Sequence, residues 1–319
     1  MLKYKNFQLI KPDDVISEQI NNLILKRDGS IFHETVLNQI IEKSFNSDFY
    51  YLVDNPDNIK NAAGVHITKN KLHLRRYNIK PLYDIPYAGF IGNDVIDFSL
   101  LNISCLESLN YAGFPYTKKK DEININHFGE TAIVDLNQSL QDIFNKSINY
   151  RRRRKIREAI KAGYTIKSYF TTEGLFILWP ILKELHKKLK YKKMSYDYYK
   201  EIFQYYSVKK QAFIIIAFKN HTPVSGIFII GNVNYMHFFK GASLRNFQNE
   251  GQGELLQWEA IKISKNLGSH KYDLCNLNQR QLPELFQFKT GFSKNIFQYQ
   301  KYTYNPICYK ILNKISRLF

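Results

Sequence analysis

The chain has 319 residues, enough for two hydrophobic cores, and 44% hydrophobic content with only 15 Gly and 9 Pro excludes disordered and collagen-like classes. Its formal net charge of +18 draws polyanions toward it, among them nucleic acid, anionic lipid, nucleotide-linked sugars and coenzyme A. The longest apolar run, residues 212–218, is far below the roughly 18–20 residues of a membrane span, and the opening MLKYKNFQLIKPDD is too broken by charge for a signal peptide.

In chain order, Phe32, Val36, Leu37, Ile40, Ile41 and Phe45 recur at helical spacing, which predicts a helix over 32–45 with Ser30 as its N-cap. Strands are expected at 49–53, 63–68 and 71–77, the first two joined by the turn-forming N-P-D-N. Residues 87–92 read as a glycine-containing loop, 96–113 as helical, and 123–127 and 131–136 as extended. A long helix over 139–162 is stopped by Gly163, followed by a strand at 164–170 and helices at 175–189 and 196–206. Three strands come next, at 212–219, 224–231 and 234–240, with N-H-T-P as a hairpin turn. Residues 253–267 form a helix with Leu256, Ala260, Ile263 and Leu267 on one face and Gly268 at its stop. A strand at 271–275, a short helix near 282–286, a strand at 297–304 and a last helix complete the order.

Helix pairs, an antiparallel meander, a glycine turn into a helix and a strand make an α+β order that appears twice. The expected architecture is two tandem domains, each a mainly antiparallel mixed sheet flanked by helices. The boundary is placed near Gly163: a first domain over 1–163, on the acceptor side and closed by 305–319, and a second, on the donor side, over 164–304. Cys105, Cys275 and Cys308 lie far apart without a C-x-x-C, so neither a disulfide framework nor a metal site is expected, and a soluble cytoplasmic protein fits.

The informative stretch is R-N-F-Q-N-E-G-Q-G-E-L-L-Q-W-E-A-I over 245–261, where Gln248-x-x-Gly251-x-Gly253 follows a strand and opens a helix. Backbone N–H groups at a helix start can grip a pyrophosphate, and glycine lets the backbone approach it. Alone, two glycines between a strand and a helix more often make an ordinary turn. The full order resembles the pyrophosphate-binding signature of the GNAT acyltransferase superfamily, which implies Gln248, Gly251, Gln252 and Gly253 as donor-binding residues.

Further stretches resemble the second domain of the Fem-type transferases: F-K-G-A-S (239–243), L-L-Q-W-E-A-I-K (255–262), N-L-G-S-H-K-Y-D-L (266–274) and F-K-T-G-F-S (288–293). Those are tandem-GNAT enzymes of peptidoglycan interpeptide-bridge formation, with relatives in envelope-polysaccharide pathways. R-R-R-R-K-I-R-E-A-I-K-A-G-Y-T-I (151–166) resembles the family's arginine-rich helix, and S-I-F-H-E-T-V-L (30–37) its first-domain opening, without the tryptophan usual there.

Acyl transfer to an amine needs a placed donor carbonyl, a stabilised oxyanion and a proton acceptor, but no covalent intermediate, so no Ser-His-Asp set is expected. The resemblance matches Phe288-Lys289 to the family's Phe-Lys pair near the transferred group, with Lys289 offsetting the oxyanion's charge and Phe288 lining the substrate. Otherwise Lys289 is one of 46 basic side chains on a surface. Strand alternation sets Tyr235, His237 and Phe239 on one face, where His237 either accepts the amine's proton or packs among aromatics. Asp273 either positions a substrate amine or bonds a neighbouring loop, and Trp258 is expected in the core. Arg153, Arg157 and Lys161 share a helical face that contacts phosphate or is simply solvated.

The expected function is an N-acyltransferase acting on an amine of a cell-envelope precursor, a nucleotide- or lipid-linked sugar or peptide. The glycine turn favours acyl-CoA and narrowly makes it the expected donor substrate, whereas the net charge favours aminoacyl-tRNA, the alternative. The missing tryptophan argues against a peptidoglycan pentapeptide acceptor and leaves a sugar amine open. A non-catalytic RNA-binding protein on the same scaffold is the rival. Residues 307–319 form a basic amphipathic helix that packs on the first domain or touches the inner membrane surface.

Overall fold

The structure, a computed structural model, describes residues 3–4, 7–79, 85–92, 101–102, 104–118, 128–189, 194–247 and 250–316. Its first elements are β1 (Lys3–Tyr4), β2 (Gln8–Ile10), α1 (Asp14–Lys26), α2 (Thr35–Phe45), β3 (Asp48–Val53), β4 (Ala62–Lys69), β5 (Arg75–Ile79), β6 (Ala88–Ile91), β7 (Leu101–Asn102) and β8 (Ser108–Lys118). Then come β9 (Phe128–Asp135), α3 (Leu140–Asp142), α4 (Tyr150–Lys161), β10 (Thr165–Tyr169), α5 (Thr172–Leu189), α6 (Tyr196–Ser207), β11 (Ala212–Lys219) and β12 (Thr222–Gly231). The remainder is β13 (Tyr235–Ser243), α7 (Gln252–Asn266), β14 (Lys271–Asp273), α8 (Pro283–Thr290), β15 (Ile296–Tyr304) and α9 (Ile307–Ile315).

Two compact units result, Met1–Gly129 with Gln298–Phe319, and Glu130–Phe297. The division falls at Gly129/Glu130, not near Gly163. The reason is that β9 pairs with β14 (Lys271↔Asp135 to Asp273↔Ile133), which puts β9 and the helix after it in the second core.

The first unit's sheet has the order β15-β8-β5-β4-β3-β2, antiparallel from β2 to β5 and parallel between β5 and β8, with β6 against β4 and β8. The second unit's order is β10-β11-β12-β13-β14-β9, antiparallel from β10 to β13, parallel between β13 and β14, and antiparallel again to β9. Each unit thus follows a strand with two helices, a three-strand meander and a parallel partner. The α+β architecture is as expected.

Local chemistry sets the boundaries. Asp13 caps α1 by accepting from Ile16 N at 2.8 Å, and Ile16, Ile20, Leu23 and Ile24 bury against Phe49, Tyr51 and Val53. This helix was not anticipated. Ser30 does cap, but a 3₁₀ turn, Ile31–His33, comes before α2. The strand expected at 71–77 begins at Arg75 because the Asn70 Oδ1 accepts from Leu72 N and Leu74 N, both at 3.0 Å, and holds a turn.

Residues 88–91 are a strand rather than a loop, and 108–113 a strand rather than a helix. Gly113 sits at φ +151, and a β-carbon there would stand 2.2 Å from the Ala88 carbonyl carbon, so β6 and β8 meet backbone to backbone. The burial of Leu109 and Tyr111 in the sheet core overrides their helical periodicity. The strand expected at 123–127 lies outside the described residues. The helix expected over 139–162 is interrupted by a π-helical turn, Ile143–Ser147, and an extended Ile148, after which Asn149 caps α4. At the N-H-T-P hairpin, Asn220 (φ 47) and His221 (φ 63) form the two-residue loop between Lys219 and Thr222.

The Ser30→Ala variant should lose about 1 kcal/mol of stability in urea denaturation, the usual worth of an N-cap.

Candidate active site

In the second unit, β13 and β14 run parallel only from Tyr235↔Lys271 to His237↔Asp273, while β13 continues to Ser243. The Asp273 carboxylate ends the pairing. Its Oδ1 accepts from Cys275 N at 2.8 Å, a side-chain turn that carries Cys275 (φ 54) and Asn276 (φ 45) into the left-handed region and leads the chain away from β13. The Thr131 hydroxyl from β9 donates to the same oxygen. On β13 the register with β12 shifts between Phe228 and Ile229, a bulge beside the point where the strands part.

Lys289 enters this fork from the last turn of α8. Its Nζ donates to Cys275 O at 2.5 Å and Asn276 O at 3.3 Å, the carbonyls exposed by that turn, and lies 5.6 Å from the Phe238 ring centroid. Among the described residues it is the one buried lysine. Burial pushes its pKa down to about 8, opposed by the charges of Cys275 and Asp273 and assisted by Lys240. A buried ammonium with a lowered pKa is not one of the solvated surface charges and is a candidate for charge stabilisation.

His237, Asp273 and Cys275 are buried together. His237 Nδ1 lies 3.4 Å from Asp273 Oδ2 and 3.7 Å from Cys275 Sγ. Both contacts fall on one ring nitrogen, whereas a thiol–imidazole–carboxylate relay needs the two nitrogens on opposite partners. A covalent thiol mechanism is therefore not built here. The three groups offer ligand atoms within 4.8 Å of one another, a donor set suited to a zinc-like ion. Against that, the Lys289 ammonium stands beside them and Asp273 Oδ1 is committed to Thr131 and Cys275 N.

The glycine turn is a packed junction. Gly251, at φ +91, starts α7 against α4, where a β-carbon would stand 2.2 Å from Lys155 O. The Gln252 side chain donates back to Phe247 O. Glu254, in α7's first turn, forms a buried ion pair with Arg152 at 2.6 Å. The Arg152 guanidinium lies 5.2 Å from the Phe288 ring, which in turn stacks edge-on with Phe292 and faces Gly253. Gln248 lies outside the described residues.

Of the expected site residues, the structure gathers Lys289, His237 and Asp273 into one cluster. It gathers Gly251, Gln252, Gly253 and Phe288 into another. Arg153 joins neither, since its guanidinium donates to the carbonyls of Phe144, Asn145 and Ile148 and holds the π-helical turn. Arg157 is exposed, 5.5 Å over the Phe144 ring. Trp258 packs on the core beside Phe144, as expected. Sequence reasoning missed Cys275, Thr131 and the Arg152–Glu254 pair. Only Arg152 left a signal, standing in register with the buried Ile156 and Ala159 on α4's inner face.

No protein-family model matches the sequence, and none of the curated proteins matches it. Solved structures do. The crystal structure of FemX matches with TM-score 0.68 and 12% identity, over 96% of this chain and 99% of that one. A tandem GNAT protein from the clavulanic acid biosynthesis pathway matches with TM-score 0.54 and 10% identity, over 95% and 98%. L-PGS from Bacillus licheniformis matches with TM-score 0.52 and 13% identity, over 97% of each chain. The chain has the Fem-like tandem-GNAT fold.

Arg152→Met should destabilise the protein by about 3–5 kcal/mol, because Glu254 is left charged and buried. The double variant Arg152→Met/Glu254→Leu should recover most of that loss in denaturant melts, because no buried charge is then left unpaired.

Proposed function

We propose that the chain is a Fem-type N-acyltransferase that passes an acyl or aminoacyl group from an activated donor to an amine of a cell-envelope precursor. The buried Lys289 ammonium, at the fork where β14 leaves β13, carries this reading. The donor's reactive arm lies along the β13 edge beyond His237, with its carbonyl against Lys289. The acceptor amine adds to that carbonyl, Lys289 offsets the charge of the tetrahedral oxyanion, and the paired His237 and Asp273 take the amine's proton. Collapse expels the donor's leaving group without a covalent enzyme intermediate.

Aminoacyl-tRNA is the donor that the geometry favours. A pyrophosphate needs open N–H groups at the start of α7, and there Gly251 is buried against α4, Gln252 is buried beside it, and the carboxylate of Glu254 in the first turn is already paired with Arg152. The exposed Arg151, Arg154 and Arg157 on α4 and the net charge of +18 suit a long polyanion. The Fem-type resemblance of the sequence supports the same donor. Acyl-CoA is the second reading, favoured by Gly251 and Gly253 standing between β13 and α7. The acceptor in either case is a sugar or peptide amine presented at the cytoplasmic face.

The test is transfer of a radiolabelled aminoacyl group from charged tRNA, and of an acetyl group from acetyl-CoA, to envelope-precursor amines. Lys289→Met should fold, bind donor normally and lose kcat by roughly 10²–10³. Near-normal kcat would remove Lys289 from the chemistry, and salt-sensitive RNA binding without transfer from either donor would favour the non-catalytic reading.

The pH dependence has a definite sign. As pH rises through about 8 the wild type loses the Lys289 charge and kcat should fall, where an ordinary lysine would hold it until about 10.5. Between those values the unfolded chain binds a proton that the folded one does not. Wild-type stability should therefore rise with pH relative to Lys289→Met across that window.

A further inference from the structure

The helix α9 belongs to the first unit and is anchored there by one face. Tyr309 is buried, with the Arg76 guanidinium 5.7 Å from its ring, and Asn70 Nδ2 donates to Asn313 Oδ1 at 3.1 Å and to Ser316 Oγ at 3.0 Å. The opposite face is inverted relative to a water-facing helix. Ile307, Ile311 and Ile315, spaced i, i+4, i+8, are 74%, 55% and 39% exposed. In the turn that anchors α9, Leu72 is also exposed, at 41%. An apolar stripe of this kind on a polar, charged segment calls for a covering partner.

Charge says which partner. Lys310 and Lys314 are exposed beside the isoleucines on the same helix. The segment of the first unit that carries α9, Gln298 to Phe319, contains no Asp or Glu, yet it holds Lys301, Lys310, Lys314 and Arg317. A protein partner would ordinarily be met by mixed charge at the rim of its interface, whereas a surface of uniform negative charge asks for basic residues alone around an apolar stripe. Among the described residues no helix is long and apolar enough to cross a membrane. We infer that α9 docks the protein onto an anionic lipid surface, with Ile307, Ile311 and Ile315 entering the headgroup–acyl boundary and Lys310 and Lys314 meeting the lipid phosphates. The inference rests on the first unit alone and stands whether or not the second unit transfers an acyl group.

Cosedimentation with vesicles tests it. Wild-type protein should bind vesicles of equimolar phosphatidylcholine and phosphatidylglycerol, and bind pure phosphatidylcholine vesicles at least about tenfold more weakly. Added salt should weaken the first. Ile307→Ser/Ile311→Ser should lose binding without a change in melting temperature, since both side chains are exposed. Lys310→Glu/Lys314→Glu should erase the preference for phosphatidylglycerol. A second readout uses the exposed Cys308: in a Cys105→Ser background, with Cys275 buried, an environment-sensitive fluorophore on Cys308 should shift to the blue on phosphatidylglycerol vesicles. Unaltered binding by the isoleucine variant, or no spectral shift, would overturn the inference. So would a lipid-free dimer that those same substitutions dissociate, because a second copy would then be the stripe's occupant.

Discussion

The second unit turns on what the Asp273 carboxylate accepts. One oxygen takes the Thr131 hydroxyl and the Cys275 amide, and the other faces His237. That arrangement ends β14 after three residues and sends the chain through two left-handed positions. It also aims the carbonyls of Cys275 and Asn276 at one ammonium. Buried polar groups are costly unless satisfied, and here each satisfied bond also shapes the fork between β13 and β14. The low pKa of Lys289 is a consequence of the same enclosure. Burial opposes its charge while the charges of Cys275 and Asp273 favour it, with the net shift downward to about 8.

The two units share a strand plan but differ at the corresponding fork. In the first unit the β5–β8 pair is fixed by Tyr77 donating to Glu107 at 2.8 Å and Arg76 donating to Ser108 at 3.2 Å. No buried lysine is found among its described residues. The tandem fold therefore presents two similar parallel pairs, of which the second carries the buried Lys289, His237 and Asp273. Aromatic packing fills both units, as in the Phe203–Phe228–Phe239 contacts of the second and Tyr87–Tyr299 of the first.

The second half of the sequence was largely legible because its signals are local. The continuous apolar run of β11, the Asn220-His221 turn and the stops at Gly163 and Gly268 each fix a boundary within a few residues. The first half was not. Residues 108–113 carry a helical pattern that is overruled by sheet pairing brought about through Gly113, and Asn70 delays β5 by a side-chain turn invisible to periodicity. At the site, Lys289, His237 and Asp273 were nameable through motif resemblance and strand alternation. Thr131, 142 residues from Asp273, leaves no trace in the sequence, nor do the left-handed angles of Cys275 and Asn276. At the glycine turn, the sequence does not show that Gly251 packs on α4, a contact between segments nearly a hundred residues apart.

The central claim is that Lys289 is enclosed and chemically poised. Its most direct measurement is a titration of lysine ε-groups by NMR in protein carrying isotopically labelled lysine. The account predicts one resonance titrating near pH 8, far from the ordinary value of 10.5, and absent from Lys289→Met. A spectrum in which every lysine titrates in the ordinary range, with no resonance lost near pH 8 in the variant, would contradict it.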